Sequence, residues 1–188
     1  MGDQIRETLH SYITETAIVM RELPERDIAR VVELLEKARE KGRKVYTFGN
    51  GGSSATASHL ASDLTKGAIR HGKPRIQAYC LTDNASLLTA WANDTDYDNV
   101  FSEQLENYIG AGDVAIGISG SGNSPNVLNG VIKAREKGAV TVGLIGFGGG
   151  KLKDMVNIPV LVACGNMRQV EDIHLIIIHS VIACLGEY

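Results

Sequence analysis

From Lys44 onward the chain keeps one rhythm: a short apolar run, then a stretch whose apolar residues recur every three or four positions. That alternation limits the fold more than any other feature. It places strands near Lys44–Phe48, Ile76–Leu81, Val114–Ile118, Val140–Ile145 and Ile158–Val162. Between them it places helices near Ser53–Thr65, Asn84–Ala92, Val100–Ile109 and Ser124–Lys137, a helical turn near Lys151–Met155 and a last helix from about Arg168. Strands that alternate with helices form right-handed βαβ units and a parallel sheet, so the chain reads as an α/β protein with about five parallel strands.

The first 42 residues carry apolar side chains at helical spacing, Leu9, Ile13, Ile18 and Met20, then Ile28, Val31, Val32, Leu34 and Leu35, and Pro24 divides them into two helices. With 188 residues, 44% hydrophobic and 22% charged, the chain has enough apolar material for one sizeable core and too little for two. No repeat or linker interrupts it, so residues 1–188 are expected to form a single domain, with residues 1–42 contributing to oligomer contacts. Leu175-Ile176-Ile177-Ile178 in the last helix is apolar on every side, which also points to packing against a second subunit. A net charge of −3 without a basic cluster argues against a nucleic-acid partner. No apolar run approaches the roughly 20 residues that span a bilayer, so no membrane is implied. Cys80, Cys164 and Cys184 are odd in number and stand in apolar surroundings, as buried free thiols in a reducing cytoplasmic compartment would.

Two loops carry the chemistry. Gly49-Asn50-Gly51-Gly52-Ser53-Ser54 and Ser119-Gly120-Ser121-Gly122-Asn123-Ser124 each follow a predicted strand and open a helix. A phosphate needs several donors converging from one side; backbone N–H groups at a helix start supply them, the helix dipole adds roughly half a positive charge, and glycines let the backbone approach. Ser124 reads as a helix N-cap with Pro125 at the first helical position, so Ser119, Ser121 and Ser124 are expected around one small volume. A single loop of this kind is most often an ordinary strand-to-helix turn. Two at the carboxyl edge of one parallel sheet read instead as a pocket for a phosphorylated small molecule.

Other phosphate motifs fail. A G-x-G-x-x-G fingerprint would need glycine at Ser54, and Gly146-Phe147-Gly148-Gly149-Gly150-Lys151 resembles a P-loop but has Ile145 at the first glycine position and Leu152 where Ser or Thr would hold magnesium, so it reads as a flexible turn. Among ionisable residues, His59 and Asp63 share one helix face at a spacing suited to a metal pair or to a base beside its partner. Glu171, Asp172, His174 and His179 lie on the last helix. Eight helical residues rise about 12 Å and rotate about 80° past whole turns, so Glu171 and His179 meet at one metal only by stretching, by an irregular helix start, or across subunits. Asn93-Asp94 stands in a polar stretch between helices, where it could meet sugar hydroxyls.

In their order along the chain, the Gly49-to-Ser53 loop with His59 downstream, Asn93-Asp94, the Ser119-to-Ser124 loop and the Glu171-to-His179 helix resemble the sugar isomerase (SIS) domain family, and within it the phosphoheptose isomerases. The resemblance implies a three-layer α/β/α fold around a five-stranded parallel sheet, a homotetramer with sites at subunit contacts, and conversion of sedoheptulose 7-phosphate to D-glycero-D-manno-heptose 7-phosphate. Carried over by position, it implies substrate binding by Asn50, Gly51, Gly52, Ser53, Asn93, Asp94, Ser119, Gly120, Ser121, Ser124 and Glu171. It implies a divalent metal, zinc, on His59, Asp63, Glu171 and His179, and catalysis by Asp63, Glu171 and His179. Asp63 replaces the family's usual glutamate, and Glu171 its usual glutamine. The alternatives are a non-catalytic SIS module of the replication-initiator-associating type, and an isomerase of a five- or six-carbon sugar phosphate.

Overall fold

The structure, a computed structural model, describes residues 1–187. Strands β1 (Lys44–Gly49), β2 (Gln77–Cys80), β3 (Val114–Ser119), β4 (Val140–Ile145) and β5 (Ile158–Leu161) form one sheet in the order β2-β1-β3-β4-β5. Every neighbouring pair is parallel. Parallel strands covered on both faces read as continuous apolar runs, and β3 is buried at all six positions.

The helices are α1 (Gly2–Arg21), α2 (Glu25–Glu40), α3 (Gly52–Thr65), α4 (Ala85–Asp94), α5 (Ser102–Tyr108), α6 (Pro125–Glu136), α7 (Leu152–Met155) and α8 (Met167–Leu185). Alternate side chains of each strand leave opposite faces of the sheet, which divides the core in two. On one side Val45, Ile116 and Leu144 meet Leu35 of α2, Leu60 of α3 and Ile173 and Ile177 of α8. On the other, Tyr46, Phe48 and Ala115 meet Phe101 and Leu105 of α5 and Val127 and Val131 of α6. The result is three layers, as expected.

Boundaries moved in ways that matter. β1 and β3 each run one residue further, because Gly49 pairs with Ile118 and Ser119 with Ile145. α4 continues through Asp94, so Asn93 and Asp94 end a helix rather than sit in a loop. A 3-10 turn at Tyr97–Asn99 precedes α5. The expectation of buried thiols is not met: Cys80 and Cys164 are half-buried, and Cys184 is exposed because it lies out of phase with Val181, Ile182 and Leu185, the residues that α8 turns into the core.

Two features position the site. Strand order reverses between β1 and β3, so the helices that follow them, α3 and α6, pack on opposite faces and leave a crevice at the carboxyl ends of those strands. Second, α3 and α8 lie side by side, and the buried Arg39 of α2 pins their far ends: its Nη2 donates to Ala68 O at 2.7 Å and to Leu185 O at 3.0 Å. A buried guanidinium needs such acceptors, and Glu36 adds a carboxylate 3.4 Å from Nε.

Candidate active site

The two loops open into one crevice of about 240 Å³, lined by Asn50, Gly51, Gly52, Ser53, Ser119, Gly120, Ser121 and Ser124, with Ile118, Met167 and Glu171. Gly51 is the N-cap of α3 at φ +54, a left-handed conformation that glycine adopts without strain, and no side chain caps the helix. Ser124 is the N-cap of α6 with Pro125 in the first turn, as its sequence implies. Its hydroxyl does not cap the helix but stands 3.1 Å from Ser119 Oγ. Two helix starts without side-chain caps therefore face one space, and the start of α8 borders it at Met167. No lysine or arginine lines the crevice, so the attraction for an anion comes from backbone N–H groups, hydroxyls and helix dipoles.

The third turn, Gly146 to Lys151, braces the serine loop from behind. Gly146 N donates to Gly120 O at 3.0 Å, Leu152 N to Gly122 O at 3.0 Å, and Lys151 N to Asn123 Oδ1 at 3.1 Å. A side chain at Gly150, whose φ is +53, would place its Cβ 2.6 Å from both Gly122 O and Ser121 O. The turn expected to be free is thus tied to the loop it supports.

About two turns further along α3 lies a second group. His59 Nε2 is 3.3 Å from Asp63 Oδ2 and 3.3 Å from His179 Nε2, which is 3.9 Å from the same carboxylate oxygen. The imidazoles meet edge to face, with centroids 4.9 Å apart. Three electron-rich atoms cannot converge so closely without a proton or a cation among them. Two imidazole nitrogens and a carboxylate oxygen, all within 4.8 Å of one another, form a donor set that fits a divalent transition metal.

Other expected site residues lie elsewhere. Glu171 is not in the histidine group: α8 is regular from Met167, and the Glu171 carboxylate lies over Gly52, so close that a Cβ there would stand 2.5 Å from Oε1. It puts a negative charge beside the crevice. Asn93 and Asp94, hydrogen-bonded to each other at 2.8 Å, do not line the crevice of their own chain. His174 is 1% exposed and stays in the core. Two residues that the sequence did not single out do reach the site: Asn126, at the second position of α6, and Tyr97, both hydrogen-bonded to Asn50. A polar residue in a helix's first turn is too common to flag Asn126, and nothing local marks Tyr97.

The family described as SIS domain matches residues 10–146. A phosphoheptose isomerase from Geotalea daltonii is 39% identical over 179 residues, covering 95% of this chain and 92% of that protein. A probable phosphoheptose isomerase from Thermoplasma acidophilum is 37% identical over 94% of this chain and 96% of its own. The solved structure of phosphoheptose isomerase GmhA from Neisseria gonorrhoeae superposes with a TM-score of 0.88 at 31% identity, covering 96% of this chain and 98% of that one.

Proposed function

This chain belongs to the SIS domain family, among its phosphoheptose isomerases, and on that premise we propose that it interconverts sedoheptulose 7-phosphate and D-glycero-D-manno-heptose 7-phosphate. One observation carries the reading. Along α3 and α8 the phosphate-type crevice and the imidazole–carboxylate group follow each other, with Gly52 and His59 separated by a helical rise of roughly 10 Å. A phosphate at one end and a reacting carbonyl at the other require a long carbon chain between them.

In this proposal the crevice holds the phosphate through the backbone and hydroxyls of Asn50 to Ser53, Ser119 to Ser121 and Ser124. His59, Asp63 and His179 hold a divalent metal, zinc by their donor chemistry, which supplies Lewis-acid polarisation of the substrate carbonyl when bound. Asp63 removes a proton from C1 of the ketose; the C–H electron pair becomes the C1–C2 double bond while O2 takes a proton from His179 Nδ1, the ring nitrogen outside the donor set, giving the enediol. Return of the proton to C2 and loss of the O1 proton to His179 Nδ1 complete the aldose. Oδ2 is the Asp63 oxygen that pairs with both histidines, and in this scheme the other oxygen takes the proton. Asp63 is one methylene shorter than the family's glutamate, and a misplacement of about 1 Å at a reacting group can cost on the order of 100-fold in rate. Glu171 belongs in this scheme to the phosphate end of the substrate. Asn93 and Asp94 complete the site of a neighbouring subunit in a tetramer, and the protein works in the cytoplasm.

The test is direct. Incubated with sedoheptulose 7-phosphate, the protein is expected to yield the aldose, to lose that activity after chelation and to regain it with zinc. Absence of aldose product from zinc-loaded protein would refute the assignment; full activity after exhaustive chelation would refute the metal.

A further inference from the structure

One phosphate can be held by two loops only if the loops keep a fixed register, and these two lie on helices packed against opposite faces of the sheet. A hydrogen-bonded clasp crosses between them. Asn50, in the first loop, and Asn126, which is 1% exposed in the first turn of α6, exchange amide hydrogen bonds: Asn50 Nδ2 donates to Asn126 Oδ1 at 2.8 Å, and Asn126 Nδ2 donates to Asn50 Oδ1 at 2.8 Å. The phenol of Tyr97, from the turn between α4 and α5, donates to Asn50 Oδ1 at 3.0 Å.

The direction of these bonds is fixed from the backbone. Val127 N–H can only donate, and it donates to Asn126 Oδ1 at 2.9 Å. That sets the Asn126 amide, which sets the Asn50 amide, which makes Tyr97 the donor. Asn50 Oδ1 thereby uses both of its lone pairs within the protein, and one of the two N–H bonds of Nδ2 is used as well. One side-chain N–H of Asn50 remains for a ligand.

We propose that Asn126 and Tyr97 are positioning residues for the phosphate crevice: they hold Asn50, and through it the first loop, in register with the serine loop. This rests on reading the crevice as a phosphate site. Neither residue touches the substrate in this scheme. Both act through Asn50, and the Asn50–Asn126 pair is the strut that sets the spacing of the two helix starts. Because Asn126 is buried, loss of its partner leaves an amide without water to replace it, so the clasp closes in one arrangement.

The experiment measures binding of inorganic phosphate and, separately, of zinc alone by calorimetry to wild-type protein, Asn126→Ala and Tyr97→Phe, together with kcat and KM on sedoheptulose 7-phosphate. Tyr97→Phe removes one neutral hydrogen bond at an exposed ring, and is expected to weaken phosphate binding about three- to tenfold. Asn126→Ala removes the strut, and the expected loss is about tenfold or more, carried by KM, with zinc affinity and kcat within about twofold of wild type. Unchanged phosphate affinity in both variants would overturn the proposal. So would parallel loss of phosphate and zinc binding, which marks a general loosening of the fold. If Asn126→Ala does not fold, Tyr97→Phe decides alone. Wild-type protein that binds no phosphate would remove the phosphate reading itself, an outcome distinct from wild-type binding that the variants share.

Discussion

His174 is buried on α8, and neither of its ring nitrogens reaches a hydrogen-bond partner. Burial pushes its pKa from 6.5 down to about 4, and the nearby Ile145 carbonyl, short of hydrogen-bonding geometry, offsets little of that. The unfolded chain binds this proton more readily than the folded one. The contribution to stability is therefore complete above about pH 6.5 and is lost as pH falls from there to about 4. A shift of this size corresponds to roughly 3 kcal/mol at the acid end. His174→Leu is expected to raise stability at pH 7 by about 1 kcal/mol, since it removes unpaired buried polar atoms, and to flatten the fall between pH 7 and pH 5. Denaturant titrations at the two pH values check both. By contrast, His179→Ala at the exposed imidazole group is expected to abolish isomerisation while leaving the melting temperature within a few degrees, read by product formation and calorimetry. At this scale the sequence was informative where a residue's job is local. Ser124-Pro125 announces a helix start because proline in the first turn gives up no hydrogen bond. Asn126, immediately after it, has a partner 76 residues away and no local mark.

Among the elements, the turn from Gly146 to Lys151 is the least expected contributor. Its hydrogen bonds to Gly120 and Asn123, with that of Leu152 to Gly122, tie down the serine loop from outside the crevice lining. Gly150→Ala must force a side chain into a left-handed residue and against two carbonyl oxygens of that loop. Phosphate affinity is expected to fall about tenfold or more, and stability by about 1–3 kcal/mol, measured by calorimetry and denaturant titration. The glycine run was legible as a turn because it breaks both helical and strand periodicity. What it packs against was not, because β3 and β4 become neighbours only in the folded sheet. α8 shows the same division. Its apolar character on all sides was plain; the core takes Ile173, Ile177, Ile178 and Val181, and Leu175 stays 36% exposed.

For the whole molecule, α1 is the part that a single chain leaves unfinished. It has no buried residue, and Ile5, Leu9 and Ile13, one turn apart on one stripe, are 55%, 57% and 65% exposed. A different face of α1 is held to α8, where Tyr12 Oη donates to Asp172 Oδ2 at 2.5 Å and Gln169 Nε2 donates to Glu15 Oε2 at 3.2 Å. An apolar stripe this long on an anchored helix suits a second copy of the chain, in line with the tetramer proposed above. The double substitution Leu9→Asp and Ile13→Asp is expected to convert the assembly to a 20.2 kDa monomer in sedimentation velocity, and wild-type protein that already sediments as a monomer would remove the tetramer. The order of elements, the two loops and the identity of His59 and Asp63 as a pair were all determined by the sequence, because each depends on periodicity or on residues within a turn or two of one another. The tertiary structure alone decided that β1 and β3 lie side by side, so that loops far apart in the chain share one crevice. It also decided that His179 joins His59 and Asp63 while Glu171 sits with Gly52. Those outcomes follow from how α3 and α8 pack against each other over the sheet, and packing between distant segments leaves no periodic trace in the chain that makes it.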